Sequence, residues 1–115
     1  MTTHTEPAIA EDRLYQLIRL RLIKEFNTQR AGFSSYDFSG MDFRGLDLRG
    51  IDAENIDFSN CYFRQADLRG LDLRTCNLEG ASIHATKISG VYFPKELSAE
   101  EIQLSFTHGT RMRYR

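Results

Sequence analysis

Along the middle of this chain, apolar residues recur at the first and third of every five positions. A helix would repeat them every 3.6 residues and a half-buried strand every two, so neither regular element accounts for the pattern. From Ala31 to Lys95 the sequence divides without a break into thirteen blocks: AGFSS, YDFSG, MDFRG, LDLRG, IDAEN, IDFSN, CYFRQ, ADLRG, LDLRT, CNLEG, ASIHA, TKISG and VYFPK. The third residues are Phe33, Phe38, Phe43, Leu48, Ala53, Phe58, Phe63, Leu68, Leu73, Leu78, Ile83, Ile88 and Phe93, all apolar. The first residue is small or apolar except at Tyr36 and Thr86, and the second is Asp in seven blocks. Glycine closes six of them, at Gly40, Gly45, Gly50, Gly70, Gly80 and Gly90.

Two residues apart on an extended segment point the same way. The first and third residues of each block therefore share a side, and the rest of the block must turn the chain. Glycine at the close suits a turn because it accepts positive φ without steric cost. A chain that runs straight for two or three residues, turns, and always buries the same side must wind around its own core. The expected fold is an all-β solenoid in which each coil touches only its neighbours. Its core is the third-position set, with Ala53 the small member.

Blocks such as LDLRG, ADLRG and CNLEG closely resemble those of the pentapeptide-repeat family, and the resemblance covers about Ala31 to Lys95. It implies a right-handed quadrilateral β-helix in which four blocks make one coil of twenty residues. On that geometry the chain holds slightly more than three coils. Phe38, Phe58 and Leu78 then stack in one column, and Phe43, Phe63 and Ile83 in the next. Cys61 and Cys76, fifteen residues apart, lie on different sides and read as small core residues.

Both open ends of so short a coil need covers. Three segments follow: residues 1–30 as an N-terminal tail and capping α-helix, 31–95 as the repeat, and 96–115 as a short α-helix and basic tail, all in one structural domain. The first helix is expected over about Ala8 to Gln29. Leu14, Tyr15, Ile18, Leu22 and Phe26 share one face that would lie on the first coil. Leu17, Leu20 and Ile23 point roughly the other way. Either a curved seat covers this excess, or it is a contact for a second copy or a partner. Near the C-terminus, Ser98 and Glu101 form a capping-box pattern, with Leu97 and Ile102 as a hydrophobic staple. That helix should stop at Gly109, with Ile102 and Phe106 sealing the last coil. Arg111, Arg113 and Arg115 make the tail basic.

A formal net charge of -1 and a pI of about 6.3 give no general attraction to nucleic acid or an acidic membrane. No apolar run reaches the roughly 18 residues of a membrane span, and Met1–Ala10 lacks the plan of a signal peptide. With only two cysteines, the chain reads as cytoplasmic with reduced thiols.

No nucleophile elbow or phosphate loop appears, and His4, His84 and His108 are not at metal-ligand spacing. The reading is therefore of a protein that is no enzyme and needs no metal or cofactor. The regular aspartates are expected to accept bonds from local backbone N–H groups beside each turn. On the implied coil, Arg44 and Arg64 stack on one side with His84 above and Tyr62 beside them, and Arg49 and Arg69 stack on the next. The two other sides are mainly acidic. Arg44, Arg49, Tyr62, Arg64 and Arg69 are thus the candidate contacts of a rigid protein-interaction module with an unidentified protein partner. Some members of the family mimic duplex DNA and bind type II topoisomerases. That alternative needs a strongly negative surface, whereas the repeat carries nine acidic against seven basic residues. A third reading is anion or nucleic-acid binding through the arginine edge.

Overall fold

A computed structural model of the chain describes residues 12–115. Two short helices come first, α1 (Arg13–Arg19) and α2 (Ile23–Arg30). The repeat region follows, with its two named strands β1 (Tyr36–Asp37) and β2 (Ile56–Asp57), and the helix α3 (Ala99–His108) comes last. The first residues of the expected N-terminal helix (8–11), the segment read as free of a signal peptide and His4 lie outside the described residues.

β1 and β2 pair in parallel, Tyr36 with Ile56 and Asp37 with Asp57. Six isolated parallel bridges continue the same register, among them Asp42 with Tyr62, Asp47 with Asp67 and Asp72 with Tyr92. Every pairing joins residues twenty apart. The backbone of Phe38 donates to Asp57 O at 2.8 Å, that of Phe43 to Tyr62 O at 2.8 Å and that of Leu48 to Asp67 O at 2.9 Å. Four blocks therefore complete one coil, and equivalent residues of successive coils exchange main-chain bonds.

Every block from 36–40 to 86–90 closes with a turn in which the next first-position N–H donates to the carbonyl three residues back, as from Met41 to Phe38 at 3.2 Å and from Ala66 to Phe63 at 2.8 Å. The fifth residue sits at positive φ in ten blocks. Six are the glycines, and the others are Asn55, Asn60, Gln65 and Ala85, at 54–60°. The turn at Thr75 makes the same bond without positive φ; in the other ten, glycine removes the steric cost at six.

The third positions fill the interior. Phe38, Phe43, Leu48, Phe58, Phe63, Leu68, Leu73, Leu78 and Ile83 are all at most 1% exposed. Phe43 stacks on Phe63 at 5.3 Å, and Phe58 meets Phe63 edge-on at 5.5 Å. Ile88 and Phe93 are only partly buried, at the upper end. Phe33 departs from the expected core and is 50% exposed. The first backbone bond to the next coil comes from Tyr36, so the block at 31–35 still belongs to the exit from α2. Phe33 packs against the Tyr36 ring on the outside, at 5.1 Å.

Three first-position residues carry polar hydrogens into this core and spend them alike. Cys61 Sγ, Cys76 Sγ and Thr86 Oγ1 donate to the carbonyls of Phe38, Ala53 and Phe63, at 2.9, 3.0 and 2.7 Å. Each acceptor lies twenty-three residues back, at the third position of the preceding coil. Buried polar groups are tolerated when bonded, which accounts for Thr86 at 2% exposure.

The expected single N-terminal helix is broken. The N–H of Leu22 bonds to Leu17 O at 2.8 Å and that of Arg21 to Ile18 O at 2.9 Å, around Arg21 at φ 59°. This is a Schellman stop, a device that usually uses glycine. The corner lets residues of both apolar faces pack inward, although Leu22, expected against the first coil, is 39% exposed. Leu17, expected on an outward face, is 3% exposed and lies in the core beside Leu14, Tyr15 and Ile18. Ile23 packs against the core and approaches Gly50, while Leu20 is 65% exposed.

Side chains of these helices also bond to the open edge of the first coil. Asn27 donates to Gly50 O at 3.0 Å and accepts from Asp52 N at 2.8 Å, as a further strand would. Buried Arg30 donates to the carbonyls of Phe33 and Glu54, and Tyr15 Oη to Asp42 O. At the other end, Met112 bonds to Gly80 and Ala81 through its backbone, and Ser105 Oγ accepts from Ile83 N at 2.9 Å. Ser98 caps α3, but Glu101 does not complete the box. Its carboxylate instead accepts from Arg113, at 2.8 and 2.9 Å. Phe106 lies on the rim, 36% exposed.

Positive φ alone is testable at Gly45, where an added Cβ would meet nothing within 4 Å. Gly45→Ala should cost about 1 kcal/mol in chemical denaturation. Gly80→Ala should cost more, because its Cβ would fall 2.0 Å from Asn60 Oδ1. Equal costs would mean that the inter-coil contact at Gly80 is slack.

Candidate functional site

The second residue of a block faces out beside the turn, where a short acceptor reaches the N–H two residues on. Asp37, Asp42, Asp47, Asp52, Asp57, Asp67, Asp72 and Asn77 all make this bond, at 2.8–3.2 Å. The regular aspartates thus hold the turns.

Where the fourth residue is arginine, the same carboxylate also takes its guanidinium in a two-point clasp. Arg44 is held by Asp42, Arg49 by Asp47, Arg69 by Asp67 and Arg74 by Asp72, with Nη2–Oδ2 distances of 2.7–2.8 Å. Arg49 reaches across coils as well, its Nε lying 3.3 Å from Asp67 Oδ2. Three of the five candidate contact residues are therefore neutralised within their own blocks. The side-chain bonds from Arg69 and Arg74 hold the Asp67 and Asp72 carboxyls down at about 2.

The block at 61–65 differs, because its second residue is Tyr62. Arg64 consequently has no carboxylate in its own block, and it forms no ion pair among the described residues. Tyr62 instead receives the C-terminal tail. Arg111 donates to Tyr62 Oη at 2.5 Å, lies over the ring at 5.2 Å from its centroid, and reaches Asn60 Oδ1 at 3.5 Å. These partners are all neutral.

Arg44, Tyr62 and Arg64 line one open cleft of about 330 Å³ together with Ser82, His84, His108, Gly109 and Arg111. His84 and His108, twenty-four positions apart in sequence, meet there because α3 ends over the coil edge. Gly109, at φ 76°, lies against the His84 ring. His84 Nδ1 is buried without a hydrogen-bond partner. Arg49 and Arg69 do not line this cleft. The roles of Arg111 and His108 were not readable from the repeat, since they lie outside it. The signal within the repeat was the missing Asp at position 62.

Among the described residues no His, Cys, Asp and Glu cluster could hold a metal ion, and no helix is long and apolar enough to cross a membrane. Cys61 and Cys76 are free and buried, and burial pushes both thiols up to about 12.

Two expectations follow. An Asp67 carboxyl at about 2 in the fold, against an ordinary 3.8, contributes stability that is complete above about pH 4 and lost as the pH falls toward 2. Thermal melts should therefore fall over that window, and less steeply in Asp67→Asn. An unchanged profile would remove Asp67 from the acid response. The two thiols should resist a thiol-reactive dye at pH 8 in the native protein and react fully in denaturant. Rapid native labelling would contradict the buried positions.

The family model for pentapeptide repeats matches residues 56–93, in eight copies. No curated protein and no solved structure matches the chain. The matched segment shares the twenty-residue bonding register that begins at Tyr36, and such repeats imply a β-helical coil. Residues 56–93 are thus pentapeptide repeats.

Proposed function

We propose that the protein is a non-catalytic protein-interaction module, built as a right-handed quadrilateral β-helix that presents one basic face to a protein partner. The observation that carries this reading is the ordering of its long surface side chains. Arg44, Arg49 and Arg69 are each clasped at two points by an aspartate two residues earlier, on a backbone bonded to the neighbouring coil. Exposed ion pairs of this kind add little stability, typically about 0.2–1 kcal/mol each. What they do is restrict rotamers. Immobilising a long side chain on binding costs about 0.5–1.5 kcal/mol, and a face ordered in advance avoids much of that. The contact set is Arg44, Arg49, Tyr62, Arg64 and Arg69. The same pairing disfavours mimicry of duplex DNA, because most of the regular aspartates on this face already carry an arginine.

The test is affinity capture by the full chain, compared with a variant carrying alanine at all five positions. The melting temperature of the two should agree within a few degrees, since these side chains are exposed or half-buried. A partner held by the wild type should be lost at least about tenfold on the variant, as expected when interface arginine and tyrosine anchors are removed. If every captured protein stays on the variant, the face is wrong.

A further inference from the structure

We infer that the cleft between the coil edge and the end of α3 is a binding site for a phosphate monoester, with Arg64 and Arg111 as its principal ligands. The charge around it is the first argument. Elsewhere on this face a carboxylate stands beside the guanidinium, as Asp42 does for Arg44 at 2.7 Å. Arg64 and Arg111 have no such partner and line the same cleft. The C-terminal end of α3 also faces it, but a helix end contributes only about half a negative charge. Part of that is already engaged, since Ser82 Oγ donates to Gly109 O at 3.2 Å. Two full positive charges therefore remain uncompensated.

Ligand chemistry follows from that count. A single carboxylate would neutralise one guanidinium, as the aspartates do elsewhere in the chain. A phosphate monoester carries close to two negative charges at neutral pH and three strong acceptor oxygens, enough for both arginine forks at once. The rest of the lining suits the group that bears the phosphate. Tyr62 offers a ring face, already used by Arg111 at 5.2 Å, and His84 and His108 offer imidazoles. The volume of about 330 Å³ exceeds that of a bare phosphate ion and has room for its ester group. His84 Nδ1, buried without a partner, is a second mark of a polar site that the protein's own groups do not complete.

This site shares Arg44, Tyr62 and Arg64 with the docking face but is defined by its own ligand. The ester could be a free small molecule or a phosphorylated side chain of a partner, and one titration distinguishes the two. The full-length protein, labelled with nitrogen-15, is titrated with phenyl phosphate, with a short phosphoserine peptide and with its glutamate counterpart. Amide signals near residues 62–65, 82–84 and 108–111 should shift with phosphate esters, and the glutamate peptide should bind about tenfold more weakly or worse. Tighter binding of the phosphopeptide than of phenyl phosphate assigns the source to a modified protein, and equal binding assigns it to a small ester.

Arg64→Gln should weaken ester binding about tenfold or more, the usual scale for one charge-assisted contact. Arg74→Gln, whose guanidinium is clasped by Asp72 away from the cleft, should leave it unchanged. Arg64 is exposed and unpaired, so its replacement leaves the fold intact and is the decisive variant, with Arg111→Gln as the second. Three results would overturn the site: no shifts at about 10 mM ester, glutamate binding as well as phosphate, or full affinity in Arg64→Gln. None of these bears on whether the wider face captures a protein, so the two readings fail independently.

Discussion

The main-chain hydrogen bonding that pairs residues twenty apart is the constraint on which everything else in this molecule depends. It exists only if every block advances the chain by one straight segment and one turn of fixed shape. The bond from Phe43 N to Tyr62 O, repeated by Phe63 N to Ser82 O, keeps equivalent residues stacked. Stacking then brings the aromatic third positions into contact, puts polar first positions within reach of a carbonyl one coil back, and aligns the outward aspartates. A single inserted residue would reverse inside and outside for the rest of its coil.

The positive φ at ten of the fifth positions is what this constraint costs locally. Where glycine occupies it, the cost is small. Asn55, Asn60, Gln65 and Ala85 carry it without that relief. The second-position carboxylates offset part of it by satisfying the fourth-position N–H. Because the same carboxylates clasp the fourth-position arginines, turn geometry and surface charge are coupled in this protein. Replacing one aspartate changes both, and position 62 is where that has happened. Tyrosine there leaves Arg64 free and makes a seat for Arg111, so the departure from the repeat is where the surface becomes chemically distinctive.

The ends obey the same bonding demand with different means. An internal coil is satisfied above and below by identical backbone. Neither end has that neighbour, so the side chains of Asn27, Arg30 and Tyr15 supply donors and acceptors at one end, and the Ser105 hydroxyl and the Met112 backbone do so at the other. Such improvised contacts follow no period. This explains why the core from Phe38 to Ile83 was legible in advance, while the exposure of Phe33 and the seating of Leu17 were not. A straight amphipathic helix was the natural reading of about Ala8 to Gln29, because Arg21 carries none of the glycine signal that normally marks a Schellman stop.

By itself the sequence determined the period, the inward and outward residues of each block, the positions of the turns and the structural use of the aspartates. These follow from alternation along an extended segment and from local hydrogen bonding, both of which act within five residues. Only the tertiary structure decided which surface charges remain free and what meets at the ends. Whether Arg64 is paired depends on Tyr62 beside it and on where the tail lays Arg111, forty-seven residues later. That approach is set by how α3 seats on the last coil. Burial and pairing there are properties of the assembled shape, and no local pattern encodes them.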